Sequence, residues 1–158
     1  MTEHTTLTVP KQCILFCDID GVLAGWDYFK RLRKECKEND YIDEEKIKLI
    51  NTLDCDIVIS SSWGEDGGRT ERRLREKGLT LPIIGYTEHF WNNWICRGNE
   101  IAKWIEDNVK DTDDFEYCIV DDDSDMLLSQ KDNFVHVNER YGITEKDINK
   151  IKKILKST

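Results

Sequence analysis

Proline is scarce in this sequence, with 2 among 158 residues, and no stretch is rich in proline, glycine or serine. Flexible linkers and low-complexity segments show such stretches, so we expect a single domain over residues 1–158 with its core at about 12–156. No apolar run approaches the roughly 18 residues that span a bilayer. The first eleven residues lack a basic region followed by an apolar one. We therefore expect no membrane insertion, no secretion and a cytoplasmic location.

Cysteine pairs of the CxxC type are also absent, as is the spacing between cysteine and histidine that zinc sites show. Several cysteines lie in or beside apolar runs, where a free cysteine behaves as a small hydrophobic residue. We expect reduced thiols throughout, as is typical of a cytosol-like compartment. The six are Cys13, Cys17, Cys36, Cys55, Cys96 and Cys118.

Positive charge is in deficit, because 23 Lys and Arg residues stand against 32 Asp and Glu residues and leave a net charge of −9. Sequence-independent binding to duplex nucleic acid depends on a cationic surface, so the composition argues against broad binding of that kind. Two local basic clusters remain, at residues 30–34 and 69–77. Each is typical of the solvated face of a helix.

Short apolar runs alternate with helical patterns along the chain. Strands are predicted at residues 13–17, 56–59, 81–85, 117–120 and 134–137. Helices are predicted at residues 28–36, 43–53, 68–77, 98–108 and 144–155, with Asp43 and Thr144 as N-caps. Buried strands that alternate with helices indicate an α/β fold, a parallel sheet with helices on both faces.

Polar residues follow three of the predicted strands, at the edge where open parallel sheets bind ligands. Residues 18–22 read DIDGV, residues 60–62 read SSS and residues 121–125 read DDDSD. Each turn alone has a plainer interpretation, as a tight turn or a helix cap. Together they bring carboxylates into one place, where mutual repulsion calls for a cation or a catalytic task.

Oxygen ligands favour a hard cation such as Mg²⁺, whereas the placement of the cysteines and histidines argues against zinc. A carboxylate nucleophile beside Mg²⁺ is a route to phosphoryl transfer through an aspartyl phosphate.

In this order and context the motifs resemble those of the haloacid dehalogenase-like (HAD) phosphohydrolases. Their DxDx(T/V) motif is matched by residues 18–22, their strand-ending Ser or Thr by residues 60–62, and their acidic pair by Asp121-Asp122. The segments SSSW at 60–63, RGNEIAKW at 97–104 and VDDDSDM at 120–126, with GIT at 142–144, resemble a small branch of bacteria and phages. That branch includes modules attached to RNA-repair proteins.

The resemblance implies a role for each motif residue. Asp18 would be the nucleophile, and Asp20 the general acid and base whose backbone carbonyl joins the metal shell. Ser61 would bind the phosphate, with Ser60 as the alternative, because the end of the strand is uncertain by a residue or two.

The family also has a cation near the start of a later helix. Arg97 fits that place, although the family more often uses lysine and Lys103 is the alternative. Asp121 and Asp122 would hold Mg²⁺ together with Asp18 and Asp20, and Asp125 is a weaker candidate.

Only about 38 residues, 23–60, separate the first motif from the second, so no large cap fits there. The resemblance thus implies a three-layer Rossmann-like domain without a large cap, and capless members tend to act on large substrates. An aromatic segment, with His89 beside it, either packs over the sheet edge or stacks a nucleobase. Its aromatic residues are Tyr86, Phe90, Trp91 and Trp94.

The function expected from these observations is a Mg²⁺-dependent phosphomonoesterase that works through an aspartyl phosphate. A nucleotide or a phosphorylated nucleic-acid end is the expected substrate. Two alternatives stay open: a phosphatase for phosphoproteins or small metabolites at the same site, and a non-catalytic domain that binds a metal or a partner.

Overall fold

The strands and helices lie where the sequence pattern predicts them. The computed structural model describes residues 11–35, 41–90, 94–110 and 114–156. The strands are β1 (Gln12–Cys17), β2 (Asp56–Ile59), β3 (Ile83–Tyr86), β4 (Phe115–Asp121) and β5 (Phe134–His136). The helices are α1 (Trp26–Lys34), α2 (Glu44–Ile50), α3 (Arg69–Glu76), α4 (Arg97–Asn108) and α5 (Glu145–Leu155). Their ends fall within three residues of the predictions, and two short 3₁₀ turns, Asp66–Gly68 and Leu128–Asn133, were not predicted.

All five strands are parallel, and their order in the sheet is β3-β2-β1-β4-β5. The chain runs outward from β1 through β2 to β3, then crosses back to place β4 on the other side of β1. The strand order therefore reverses between β1 and β4, and open α/β sheets bind ligands at the carboxyl ends of the strands at such a point. The predicted α/β fold, with its central parallel sheet, is confirmed.

The pleat of β1 divides its side chains between two cores. Leu15 and Cys17 contact one hydrophobic cluster, whereas Ile14 and Phe16 contact the other. The first cluster takes its helical residues from α2, α3 and α5, and the second takes them from α4. Helices therefore cover both faces of the sheet, which makes three layers.

Two helix starts are fixed by the predicted caps. The Asp43 carboxylate accepts a hydrogen bond from the Glu45 N–H at 3.0 Å, and Thr144 forms a capping box with Asp147. Such caps are each worth about 1 kcal/mol of stability. The sequence signal and the structure agree at both positions.

Between β1 and β2 the described residues form only α1 and α2, so the part of this linker that the structure describes contains no cap domain. The five described cysteines are all free thiols, and Cys36 lies outside the described residues, as does Trp91 of the aromatic segment. No helix in the described ranges has the length and apolar character to cross a membrane.

Candidate active site

Asp18 is the first residue after β1, next to the point where the strand order reverses. Its side chain is buried, its N–H donates to the Val120 carbonyl at 3.1 Å, and its carboxylate accepts from the Ile19 N–H at 2.9 Å. Burial raises the pKa of Asp18, and the negative charge of Asp121 raises it further, while Arg97 opposes the rise. The structure thus holds a carboxylate in a place that disfavours its charge unless a cation is near.

Asp121 ends β4 beside Asp18 and is almost fully buried. Its Oδ1 accepts a hydrogen bond from the Asp123 N–H at 2.9 Å, while its Oδ2 has no hydrogen-bond partner among the described residues. Burial also raises the pKa of Asp121. Asp18, Asp121 and Asp122 each offer a carboxylate oxygen, and these oxygens lie within 4.8 Å of one another. An all-oxygen group with one buried oxygen unsatisfied fits a hard divalent cation such as Mg²⁺.

Asp122 is held from two sides by residues that the motifs do not single out for that purpose. Gly21 has φ +78°, and a Cβ at this position would overlap the Asp122 carboxylate. On the other side, His136 Nε2 lies 2.8 Å from the Asp122 carbonyl oxygen. Glycine is therefore required at position 21 both for its backbone conformation and for space.

Asp20 stands at the exposed mouth of the site rather than inside it. Its Oδ2 accepts a hydrogen bond from the indole N–H of Trp63 at 3.0 Å. Its carboxylate lies outside the group of three that could hold a metal, so only the backbone carbonyl expected from the resemblance could contribute. An exposed carboxylate with a fixed partner suits proton exchange with a leaving group or with water.

Ser60 and Ser61 are both buried where β2 ends. The β1–β2 ladder pairs Cys17 with Ile59, and the Ser60 N–H donates to the Cys17 carbonyl at 3.0 Å. Continuing that register by one residue sets Ser60 beside Asp18. The Ser60 hydroxyl has no partner among the described residues, whereas Ser61 Oγ accepts from the Trp63 N–H at 3.3 Å. Both hydroxyls therefore keep a proton to donate to a ligand.

Arg97 reaches the acidic group from the first residue of α4. Its Nε lies 3.7 Å from Asp121 Oδ2, and its Nη1 lies 3.7 Å from Oε1 of the buried Glu100. These separations are longer than hydrogen bonds, and Nη1 has no hydrogen-bond partner in the described part of the chain. Lys103 instead pairs with Asp107 and lies 3.9 Å from Glu88. The structure thus brings Arg97, and not Lys103, to Asp18 and Asp121.

Asp125, the weaker candidate for the metal, contacts the start of α4. Its carboxylate accepts from the Arg97 N–H at 3.0 Å, and its carbonyl accepts from the Gly98 N–H at 3.1 Å. Carboxylates at a helix N-terminus satisfy free N–H groups and interact well with the helix dipole. Asp125 therefore anchors the start of α4, which fixes the backbone from which Arg97 extends.

Buried polar atoms without a hydrogen-bond partner concentrate at this edge. Within the described ranges, each lies at the carboxyl end of β2, β3 or β4 or at the start of α4. They are Ser60 Oγ, Tyr86 OH, Thr87 Oγ1, Arg97 Nη1 and Asp121 Oδ2. Because buried polar groups in native proteins are nearly always satisfied, this concentration is the pattern expected of a site for a polar ligand.

The sequence analysis did not identify two residues of the site, Glu100 and Trp63. Glu100 is buried, and its Oε2 accepts a hydrogen bond from the Phe90 N–H at 3.1 Å and lies 2.9 Å from His89 Nδ1. Glu100 therefore connects the aromatic segment to Arg97. Its position three residues after Arg97, beside the buried Ile101, is the signal that could have placed it on the inner face of α4. Trp63 follows the serine run directly, but no sequence pattern predicts its bond to Asp20.

The comparisons with known proteins support the resemblance. A family profile described as the HAD domain in Swiss Army Knife RNA repair proteins matches residues 14–148. The comparisons with curated proteins and with solved structures found no match. The matched range includes β1 except for its first two residues, all of β2 to β5, and every residue of the candidate site. The chain therefore belongs to the family described as the HAD domain in Swiss Army Knife RNA repair proteins.

Proposed function

We propose that this HAD-type phosphohydrolase is a Mg²⁺-dependent phosphomonoesterase in which Asp18 accepts the phosphoryl group. The observation that carries the proposal is the position of Asp18, buried beside Asp121 and Asp122 at the reversal of strand order, with Arg97 across from Asp121. One edge then offers a nucleophile, ligands for a cation and a positive charge for phosphate. These are the parts that phosphoryl transfer requires.

Asp18, Asp121 and Asp122 would hold the metal, together with the backbone carbonyl of Asp20. When bound, Mg²⁺ would offset the crowded carboxylates and attract the oxygens of the phosphoryl group. The unsatisfied Oδ2 of Asp121 is available for this purpose.

Asp18 attacks phosphorus, so that a bond forms between its carboxylate oxygen and phosphorus while the bond to the leaving oxygen breaks. Asp20 gives its proton to that oxygen. In the second half Asp20 takes a proton from water, whose oxygen attacks phosphorus and releases Asp18 and inorganic phosphate. The indole N–H of Trp63 holds the Asp20 carboxylate in place through both halves. Proton transfer by a positioned group of this kind contributes about 10²–10⁴-fold to a rate.

Arg97 would neutralise the phosphoryl oxygens, and a serine hydroxyl would donate to one of them. Arg97 Nη1 has no hydrogen-bond partner among the described residues and only an ion pair with Glu100 at 3.7 Å, so its N–H groups remain available to donate to the phosphate. Ser61 is the residue that the resemblance favours, while the ladder register and the unpartnered hydroxyl favour Ser60. Ser60→Ala and Ser61→Ala, compared by their KM values for one substrate, identify the hydroxyl that binds phosphate.

For the substrate we propose a nucleotide or a phosphorylated nucleic-acid end. The mouth of the site is exposed at Asp20, and the guanidinium of Arg73 stacks over Trp63 at 5.5 Å from the ring centre. Arg73 thus lies beside Trp63, the residue that donates a hydrogen bond to Asp20. In that position the guanidinium of Arg73 would attract a further phosphate of the substrate. The family description names RNA repair, which agrees with such a substrate.

The experiment that tests the activity is hydrolysis of p-nitrophenyl phosphate with and without Mg²⁺, in wild type, Asp18→Asn and Asp20→Asn. Asp107→Asn is the matched control, because Asp107 is an exposed aspartate that pairs with Lys103 away from the site. We expect Mg²⁺-dependent turnover in wild type and in the control, and its loss in both site variants. Full activity in Asp18→Asn would refute the assignment of the nucleophile.

A salt titration separates the proposed substrate from a small metabolite. Contacts to the backbone phosphates of an oligonucleotide weaken steeply with salt, because bound counterions are released. We expect KM for a phosphorylated oligonucleotide to rise steeply with salt and KM for p-nitrophenyl phosphate to change little. An equally flat response for both substrates would favour a small-metabolite phosphatase, and binding of Mg²⁺ without turnover of any phosphate would favour a non-catalytic domain.

A further inference from the structure

A cavity of about 210 Å³ opens directly beside the candidate site. Its lining includes two aspartates, Asp20 and Asp122, and two aromatic residues, Trp26 and Phe29, which we call the aromatic wall. Trp26 and Phe29 are three residues apart on α1, so they lie on the same face of that helix. The cavity therefore joins an aromatic wall to the carboxylate that acts as general acid in the proposed function.

The backbone beneath the aromatic wall is tightly held. The N–H groups of Trp26 and Asp27 donate to the carbonyls of Glu139 and Arg140, each at 3.0 Å. A Cβ on Gly25 would lie 2.6 Å from the Gly142 nitrogen, so only glycine allows this approach. Trp26 is nevertheless 54% exposed. A large aromatic ring on a fixed backbone, left open to solvent, is typical of a stacking platform because little freedom is lost when a ligand binds.

The chemistry of the lining selects among occupants. Three of the residues that line the cavity are acidic, Asp20, Asp122 and Glu139, and their negative charges repel a second phosphate. Its volume is below the roughly 300–1,000 Å³ of pockets that take drug-sized ligands, so it suits one ring system rather than a whole nucleotide or a peptide. Glu139 offers an acceptor for a ring amino or imino group.

We propose that this cavity is the leaving-group subsite and that it takes an uncharged planar ring of the nucleobase type, stacked on Trp26. The assignment of the ring to the leaving group rests on the proposed function, because a general acid must lie within hydrogen-bond reach of the ester oxygen that departs. The ring of a leaving group protonated by Asp20 then falls in the space that Asp20 and Trp26 share. The phosphoryl group itself lies outside this cavity, next to Asp18 and Arg97.

The first test compares two substrates that differ in their leaving group, a nucleoside monophosphate and glycerol phosphate. In Trp26→Ala we expect kcat/KM for the nucleotide to fall about ten-fold or more, the effect of losing one base–aromatic stack, and kcat/KM for glycerol phosphate to change less than two-fold. Trp26→Phe restores most of the loss, because a ring remains. Equal losses for both substrates would show that Trp26 has only a structural role and would overturn the proposal.

Trp94→Ala is the matched control, since Trp94 is fully exposed and does not line the cavity. It also belongs to the aromatic segment that could stack a base instead. We expect no change in nucleotide preference from this variant. Loss of the preference in Trp94→Ala, with Trp26→Ala unaffected, would move the stacking site to the aromatic segment and overturn the proposal.

The second test does not depend on turnover. The protein is labelled with 5-fluorotryptophan, the fluorine resonance of Trp26 is identified by its absence in Trp26→Phe, and adenosine is added as a probe without phosphate. We expect a saturable shift of the Trp26 resonance in wild type and in Asp18→Asn. No shift, or a shift of other tryptophans only, would overturn the subsite. A shift in a wild-type protein that hydrolyses no phosphate ester would refute the phosphomonoesterase while leaving the ring-binding cavity in place.

Discussion

Asp121→Asn is expected to stabilise the metal-free protein while it removes the response to Mg²⁺. In the metal-free protein, the Asp121 carboxylate lies within 4.8 Å of two other carboxylate oxygens and 3.7 Å from Arg97 Nε. At an effective dielectric constant of about 20, each repulsion at that distance is about 3.5 kcal/mol and the attraction is about 4.5 kcal/mol. The balance disfavours the charged Asp121 by about 2 to 3 kcal/mol, and burial of the charge adds to it.

Asparagine keeps the shape and the Oδ1 acceptor for the Asp123 N–H but removes the charge. We expect the free energy of unfolding of the metal-free variant to exceed that of wild type by about 2 kcal/mol at pH 9.5, where Asp18 is also ionised in wild type because this pH lies above its raised pKa of about 9. Proton uptake by the wild-type carboxyls diminishes this difference at lower pH. For a domain of this size, the change corresponds to a rise in Tm of about 4 to 8 °C.

The assay is thermal and urea unfolding of both proteins in EDTA and in excess Mg²⁺. A ligand at 100 times its Kd stabilises by about 2.7 kcal/mol, so wild type gains in Mg²⁺ and the variant does not. The order of the two Tm values then reverses between the two conditions, whereas Asp107→Asn follows wild type in both. A metal-free Asp121→Asn protein less stable than wild type, or an equal gain from Mg²⁺ in both, would refute the reasoning.

Three further outcomes are expected. The folded-state pKa values of the buried pair, Asp18 and Asp121, are raised above their unfolded values, so the folded metal-free protein binds more protons than the unfolded protein does. The free energy of unfolding of the metal-free protein therefore decreases as pH rises from 6 to 9, and saturating Mg²⁺ makes this decrease smaller. Urea unfolding at several pH values in this range measures the trend, and a free energy of unfolding that increases with pH in EDTA would contradict the prediction. Gly21→Ala is expected to weaken Mg²⁺ binding at least ten-fold by calorimetry, because the new Cβ overlaps the Asp122 carboxylate and φ +78° is strained for alanine. Gly64→Ala is its control, because at a similar positive φ the new Cβ meets no atom of the described residues within 4 Å, and this variant should bind Mg²⁺ as wild type does. Glu100→Gln is expected to lower kcat/KM about ten-fold, because it weakens the ion pair that positions Arg97. Weaker phosphate binding by Arg97 should raise the inhibition constant of inorganic phosphate. An unchanged inhibition constant would show that Glu100 has only a structural role.

Much of the candidate site follows from one regularity of the sequence. Buried strands that alternate with helices require a parallel sheet, and the carboxyl ends of parallel strands share one edge. Asp18, Ser60 and Asp121 each come directly after or at the end of such a strand, so their proximity could be foreseen without coordinates. The same reasoning could not say which of these side chains contact one another. The end of a strand is uncertain by a residue or two, and a shift of one residue moves a side chain to the opposite face of the sheet.

The choice between Arg97 and Lys103 illustrates what a pattern leaves open. Both are cations on α4, and six residues apart they differ by more than a turn in height along the helix. Only the packing of α4 on its face of the sheet, with its N-terminus anchored by Asp125, sets Arg97 3.7 Å from Asp121 and leaves Lys103 with Asp107. The acidic run 121–125 shows the same limit, since its first two residues belong to the group that could hold a metal, whereas Asp125 accepts hydrogen bonds from the start of α4.

By itself the sequence determined the class of fold, the ten elements and the edge at which the acidic and hydroxyl residues gather, because hydrophobic periodicity and turn chemistry are local properties of the chain. The tertiary structure alone decided the strand order, the burial that raises the pKa of Asp18, the hydrogen bond from Trp63 to Asp20 and the cavity that Trp26 helps to line. Each of these depends on residues far apart in the chain, whose distances are set by how helices and strands pack rather than by any spacing along the sequence.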